Sequence, residues 1–363
     1  MTPEASAVFG AAWQEKAAVI DANLAAVSDT LRESVADRDM FTFEAMNSCL
    51  ALLNQGKKVR GMLVLVGGEL YGGADESVLV QAAGAIELCH AHLLVMDDTQ
   101  DNTAVRRNGL AAHKRQGAFV AQHSTAQDAE KRGIDMVQTA GFGIHTHAIY
   151  TLLDLEVAPE RSNLAVKLLN KRLFRTGIGQ LGDLSPVASA DMKVQDILQI
   201  ATDKTAYYTF LLPLEIGAVL AGASLNELVR FHDYGLNTGI AFQLHDDIIG
   251  TFGDPSATGK PPMSDIMEGK KTFLMAKALE VASGTERSTL LSALGSKTLQ
   301  ADHFQQCKEI ISQTGALEAT SLLAAQYAEQ AVDALHRDRH PKWPQRAVDF
   351  LSALALYSVH RRG

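Results

Sequence analysis

Residues 92–109 read HLLVMDDTQDNTAVRRNG: an apolar run enters Asp97, Asp98 and Asp101, and Arg106 and Arg107 follow. On a helix, Asp97 and Asp101 share a face, about 6 Å apart along the axis, with Asp98 beside it. Like charges at this spacing destabilise a helix unless something compensates them. A hard divalent cation with oxygen ligands is the natural partner. Mg2+ typically takes one or two protein carboxylates together with substrate phosphate. By itself the D-D-x-x-D spacing fits a solvated acidic helix end equally well.

A second acidic pair shifts that balance. FQLHDDIIG, residues 242–250, again ends an apolar helix in aspartates, Asp246 and Asp247, with Gln243 three and four residues earlier on the same face. Facing each other in a bundle, the two carboxylate sets would share a metal cluster, as bundle cores commonly do. Basic residues stand beside glycine-rich turns or directly after the acidic motifs. They are Lys57, Lys58 and Arg60 in GKKVR, Arg106 and Arg107, Lys204 in DKTAYY, Lys260 in TGKPP, and Lys270 and Lys271 in EGKKT. Arginine grips phosphate as a bidentate fork and lysine as a point charge. Three Mg2+ ions with several such cations suit a diphosphate far better than a neutral metabolite. His90 falls on the helical stripe of Asp97. Taken alone it reads as a hydrogen-bonded core residue, and so do His92, His145 and His147.

The elements that must carry these residues are helices. Apolar positions recur at spacings of three and four over 16–35, 43–55, 78–101, 194–221, 225–250, 305–334 and 345–360. No alternating strand run and no internal repeat is found. Thr2, Pro3 and Glu4 read as a helix start. Two segments interrupt the pattern. Residues 114–134 are polar and weakly patterned and read as a disordered insertion. Residues 251–264, rich in Gly, Pro, Ser and Thr, read as a long loop of the kind that forms lids. Helical pattern of the same character continues on both sides of each, so the expectation is all-α, one domain over residues 1–363.

The net charge of −9 works against a nucleic-acid partner, which needs a basic face. It leaves room for a small anionic substrate held by metal and local cations. Three cysteines without a C-x-x-C, Cys49, Cys89 and Cys307, form neither a disulfide framework nor a zinc site. No run of about 18 uninterrupted apolar residues predicts a membrane span. The first residues lack the basic and apolar regions of a secretory signal, so a cytoplasmic location is expected.

The ordered set of motifs resembles the trans-isoprenyl diphosphate synthases, the polyprenyl synthetase family. GKKVR resembles its G-K-R-x-R segment, and ELCHAHLLVMDDTQDNTAVRRNG its first aspartate-rich motif. GQLGD, the Lys204–Thr205 pair and FQLHDDIIGTFGDPSATGK…SDIMEGKKT resemble the remaining blocks, so the match runs from about residue 56 to 272. Each is weak singly; the order and spacing are specific. The resemblance implies an all-α bundle around a deep cavity, dimeric, with Asp97 and Asp101 binding Mg2+ from one side and Asp246 from the other. Asp98 and Asp247 would support them. Arg106, Lys204 and Lys260 would hold an allylic diphosphate, with Gln243 and Asp247 nearby. Lys57, Arg60, His90 and Arg107 would hold isopentenyl diphosphate, with Lys58 and Lys270 as further phosphate contacts. Thr205 and Gln243 would face the developing cation.

The chain departs from the family pattern at several points. Gly250 stands where many members carry a third aspartate, Lys58 where arginine is common, and Gly61 where proline is usual. No large aromatic precedes the first motif: four and five residues before Asp97 are Leu93 and His92. In the family an aromatic there stops the product at fifteen carbons. The resemblance therefore implies a longer product, geranylgeranyl diphosphate first, with farnesyl diphosphate kept open by the bulk of His92. Two other readings stand beside it. A class I terpene cyclase would need an N-D-x-x-S-x-x-x-E type motif, and the chain has no Asn-Asp pair. A regulatory subunit would have lost a motif, whereas both acidic motifs persist.

Overall fold

The computed structural model describes residues 3–106, 109–185, 193–254, 263–296 and 298–361. They are almost entirely helical, as the periodicity predicts. In chain order come α1 (Pro3–Glu33), α2 (Met40–Leu50), α3 (Val59–Tyr71), α4 (Glu76–Gln100), α5 (Ala112–His123), α6 (Ala129–Leu153) and α7 (Pro159–Leu184). Then come α8 (Val194–Ala201), a π-helical stretch (Thr202–Leu211), α9 (Leu212–Leu220) and α10 (His232–Phe252). Further helices occupy Phe273–Val281, Ala301–Gln313, Ala316–Arg337 and Gln345–Tyr357, among shorter ones. The described strands are two residues each, β1 (Val105–Arg106) and β2 (Gly109–Leu110), paired antiparallel with Val105 opposite Leu110.

The chain divides into two compact units: residues 7–168 with 213–224, and residues 1–6 with 169–212 and 225–363. In the first, α4 is the central helix. Ala82, Ala83, Ile86, Leu88 and Cys89 are buried within it, as are Met62 to Val66 on α3. By length and composition α4 could cross a bilayer, yet 67% of its apolar window is buried inside the protein. That is how a core helix behaves. In the second unit α10 packs on the helix Ala316–Arg337 through the small buried residues Ala324, Ala328, Ala331 and Ala334. Phe231 stacks on Trp343 at 5.2 Å, and the hydroxyl of the fully buried Tyr234 donates to the carbonyl of Leu351 at 2.9 Å.

Residues 114–134 are not a disordered insertion. They form most of α5 and the start of α6, joined by a short turn. The periodicity is weak because the buried face of α5 carries polar side chains, His113 and Gln116, beside Ala112 and Val120. Glycines complete the contact. A methyl group on Gly133 would come within 2.5 Å of the Gly117 nitrogen, so these helices touch backbone to backbone. Of the expected loop at 251–264, Thr251 and Phe252 finish α10, Ser264 opens a short helix, and 255–262 lie outside the described residues.

Candidate active site

The first aspartate motif is built by a helix end and a hairpin. Asp97 and Asp98 sit in the last turn of α4 and Asp101 is its C-cap. Asn102 then adopts a left-handed conformation (φ 52°), and the Thr103 N–H donates back to the Asp98 carbonyl at 2.9 Å. That six-to-one bond is a Schellman ending. This helix end reverses the chain, and Arg106, in β1 just beyond it, lies back against the motif. Its Nε donates to both Asp98 oxygens, at 2.8 and 3.1 Å, and its Nη2 reaches Asp98 and, at 3.4 Å, Asp97. Asp98 is fully buried. Burial works against the Arg106 charge, but the hydrogen bond to Asp98 and the charges of Asp98, Asp97 and Asp101 outweigh it and raise its pKa. The compensation that the like charges require thus comes first from inside the chain. Arg106 is an internal counter-charge to the motif.

The GKKVR segment separates into two roles. Lys58 has a left-handed backbone (φ 52°), and its ammonium is turned inward, 3.1 Å from the Gln55 carbonyl and 3.2 Å from Asp21. It is buried there and tied to protein partners. Lys57 is exposed. Arg60 and His90 are brought together as expected, with Arg60 Nη1 3.2 Å from His90 Nε2. A guanidinium only donates, so Nε2 accepts and the ring proton resides on Nδ1. Gly61 donates its backbone N–H to the buried Glu87 at 2.9 Å. A proline here would have no N–H and would leave a buried carboxylate without that donor.

In the other unit the Lys204–Thr205 pair rides on the π-helical stretch Thr202–Leu211, a geometry often found at functional sites. Two glycines admit it. A methyl group on Gly179 would lie 2.3 Å from the Lys204 nitrogen, and one on Gly239 2.3 Å from the Ala206 Cα. Lys204 Nζ meets Asp183 of GQLGD at 2.7 Å. Lys271 donates to the carbonyls of Gly182 and Asp183 at 3.0 and 2.9 Å, so a cation closes the C-terminal end of α7. A relay of hydrogen bonds links Thr205 to the second motif. Thr205 Oγ1 donates to Gln243 Oε1 at 2.8 Å, and Gln243 Nε2 donates to Asp247 Oδ1 at 2.9 Å. Burial raises the Asp247 pKa well above the carboxylate range. The Gln243 hydrogen bond and Lys270 oppose this, while Asp265 and Asp246 add to it. A divalent cation nearby would reverse that balance.

Gly250 also has a structural reason. A methyl group there would sit 1.9 Å from Asp265 Oδ2, so the Asp265 carboxylate occupies the space of a side chain at 250. Lys270 holds that carboxylate at 2.9 Å and also contacts Glu268 at 3.1 Å. Gly250→Asp, which restores the common motif, is therefore expected to destabilise this unit by about 1–3 kcal/mol by overpacking. Adding Asp265→Ala should recover most of the loss in a urea titration. Independent, additive effects would show that the two positions do not compete.

His92 and Leu93 line α4 one turn before the motif. The His92 ring lies against His145 of α6, centroids 5.2 Å apart. A methyl group on Gly141 would come 3.1 Å from His92 Nδ1. Burial, helped by the charge of His145, lowers the His92 pKa to about 4. Unfolded, the ring titrates near 6.5. Between these values the unfolded chain holds the extra proton, so stability is full above about 6.5 and declines as pH falls toward about 4. His92→Leu should flatten that part of the curve in urea unfolding at a series of pH values. An unchanged slope would assign the acid sensitivity to other groups.

The acids thus divide. Asp98 and Asp247 are buried and tied to protein partners. Asp97 and Asp246 keep side-chain exposures of 24% and 51%, and Asp101 is half-buried. Asp97, Asp101 and Asp246 are hard oxygen donors of the kind Mg2+ takes. Among the described residues no three His, Cys, Asp or Glu side chains already form a metal-holding group. An ion that completes its shell with phosphate and water oxygens fits the one or two accessible carboxylates that each unit offers. Arg107 and Lys260 lie outside the described residues. Sequence reasoning missed the roles of Glu87, Asp183 and Asp265. Glu87 did leave a signal, as an acid inside the apolar run IELCH.

A family model described as polyprenyl synthetase matches residues 44–311. Geranylgeranyl diphosphate synthase of Sulfolobus acidocaldarius is 31% identical over 310 residues, covering 85% of this chain and 87% of that protein. The (2E,6E)-farnesyl diphosphate synthase of Mycobacterium tuberculosis is 30% identical over 313 residues, covering 85% and 80%. The crystal structure of geranylgeranyl pyrophosphate synthase from Corynebacterium glutamicum, complexed with isoprenyl diphosphate and magnesium, superimposes with a TM-score of 0.89. It is 29% identical and covers 95% of this chain and 98% of that one.

Proposed function

Because the chain belongs to the polyprenyl synthetase family, we propose that it is the trans-prenyltransferase that condenses isopentenyl diphosphate head to tail with an allylic diphosphate, extending it to geranylgeranyl diphosphate. The observation that carries this reading is the division of the first motif. Asp98 is locked by Arg106, which leaves Asp97 and Asp101 aimed and partly accessible.

Mg2+, three ions in this reading, supplies the charge that makes diphosphate a competent leaving group. Asp97, Asp101 and Asp246 hold it. Lys204, Lys260 and Lys270 add counter-charge for the allylic diphosphate. Lys57, Arg60, His90 and Arg107 bind isopentenyl diphosphate, His90 keeping its Nε2 toward Arg60. As the allylic bond breaks, the Thr205 and Gln243 oxygens offer their dipoles to the carbocation, and Asp247 orients Gln243. The apolar residues of α4 exclude water from that cation. The double bond of isopentenyl diphosphate attacks, and its proton leaves with the departing diphosphate.

Chain length rests on the absence of Phe, Tyr and Trp in residues 86–96. Each unit also carries an exposed apolar face. Phe142, Tyr150 and Leu153 lie on α6, and Phe174, Ile178, Leu181 and Leu184 at helical spacing on α7. Exposed rows of this kind mark protein contacts. They support a homodimer, which light scattering at micromolar concentration would register as twice the chain mass. Three buried free cysteines suit a reducing, cytoplasmic setting.

The test is incubation of the purified chain with Mg2+, isopentenyl diphosphate and, separately, dimethylallyl, geranyl and farnesyl diphosphate, followed by chromatography of the dephosphorylated prenols. A discrete C20 alcohol is expected, with longer alcohols from His92→Ala. A C10 or C15 product that the substitution leaves unchanged would overturn the chain-length account. A cyclic hydrocarbon formed without isopentenyl diphosphate would overturn the reaction class.

A further inference from the structure

The helix Gln345–Tyr357 ends in a turn that returns the chain to α10. Ser358 Oγ donates to the Ala355 carbonyl at 2.6 Å, and the N–H groups of His360 and Arg361 donate to the Tyr357 carbonyl at 3.1 and 3.2 Å. Val359 packs on the cluster that contains Ile240 and Leu244 of α10. Arg361 is thereby delivered to the second aspartate motif and touches it at three residues. Its Nη2 donates to Asp246 Oδ1 at 2.7 Å. Its guanidinium lies 3.9 Å over the ring of Phe242, one turn earlier on the same helix. Its carbonyl accepts from His245 Nε2 at 2.8 Å. The Arg361 side chain is only 8% exposed, against 51% for Asp246. This is a built contact, with a cation–π stack, a charge-assisted hydrogen bond and a backbone anchor converging on one guanidinium.

We propose that Arg361 is the resident counter-cation of Asp246, and that a divalent metal reaches this carboxylate by displacing it. The inference rests on the reading of Asp246 as a metal ligand. Oδ1 already accepts from a full positive charge, and a second cation on the same carboxylate would meet that charge at a few ångströms, where repulsion is strong. Metal entry at this motif is therefore a competition. The metal wins when diphosphate oxygens add to its ligands, so occupancy here is coupled to substrate. Once displaced, the guanidinium stays close, because the Phe242 ring, the His245 hydrogen bond and Val359 all hold its backbone and stem.

Direct binding of Mn2+ tests this without turnover. Free Mn2+ is counted by its electron paramagnetic resonance signal in solutions of the full chain without substrate. The proteins are wild type, Arg361→Ala, Arg361→Lys, Asp246→Asn and the Asp246→Asn/Arg361→Ala double variant. Arg361→Ala should bind Mn2+ about 3–10-fold more tightly, equivalent to roughly 0.7–1.4 kcal/mol. Arg361→Lys, a cation without the planar fork, should fall between, and serves if the alanine variant fails to fold. In the Asp246→Asn background the arginine substitution should change nothing. Equal or weaker binding by both Arg361 variants would overturn the proposal. Unchanged binding by Asp246→Asn alone would instead overturn the assignment of Asp246 as a ligand.

Discussion

Asp97→Ala is expected to lower prenyl transfer about 1,000-fold while moving the unfolding midpoint little, because Asp97 serves the reaction more than the fold. Its side chain is partly exposed, and its contact with Arg106, 3.4 Å, is longer than those that Arg106 makes to Asp98. Loss of that contact is worth little, since Arg106 keeps its shorter bonds to Asp98. In the proposed role as a metal ligand, the same carboxylate is worth far more. A single preorganised electrostatic contact can supply about 3–4 kcal/mol to a transition state. The measurement pairs initial rates at saturating Mg2+ with urea unfolding of the same preparation. A variant that keeps a tenth of the wild-type rate would remove Asp97 from the metal-holding set. A variant that loses more than about 2 kcal/mol would show that the carboxylate serves the fold instead.

The same distinction marks what could be read in the sequence. Spacing of three and four located the helices, and the acidic pairs located the two motifs, because both are local signals carried by side chains a few residues apart. What could not be read was the assignment of charges to partners. Asp97 and Asp98 are neighbours in sequence and chemically identical, yet one is buried and one is not. Asp98 is the one that pairs closely with Arg106, eight residues on, which is brought back by a left-handed residue at Asn102 that leaves no periodic signal. Lys58 stands in a motif that looks like a phosphate grip, but a left-handed backbone angle turns its ammonium to Asp21. Gly250 looked like a missing ligand; the Asp265 carboxylate fills its space from a different segment. Residues 114–134 lacked a legible period because polar Gln116 takes a buried position and glycine takes the helix contact. In each case the deciding partner is remote or the packing is done by atoms that carry no hydrophobic signal.

Arg106→Ala should show the reverse of Asp97→Ala, a loss of fold that drags activity with it. Asp98 is fully buried, and Arg106 contacts both of its oxygens. Removing one member of a buried pair leaves the other charge without compensation, at a cost of about 3–5 kcal/mol. The cost is expected as a shift in urea midpoint at constant slope, and as a fall in rate that persists at temperatures where the variant is still folded, because Asp97 and Asp101 lose the turn that aims them. Arg106→Lys should rescue only part, since a point charge cannot reach both oxygens as a planar fork does. The informative partner is Asp98→Asn. In the alanine background it removes the orphaned charge, so the double variant should be more stable than Arg106→Ala alone. That sign of coupling is the opposite of two independent losses. A double variant that is less stable by the sum of the two would mean that Asp98 is stabilised by something other than Arg106. An Arg106→Ala cost below about 1 kcal/mol would mean that water, and not the guanidinium, balances the motif.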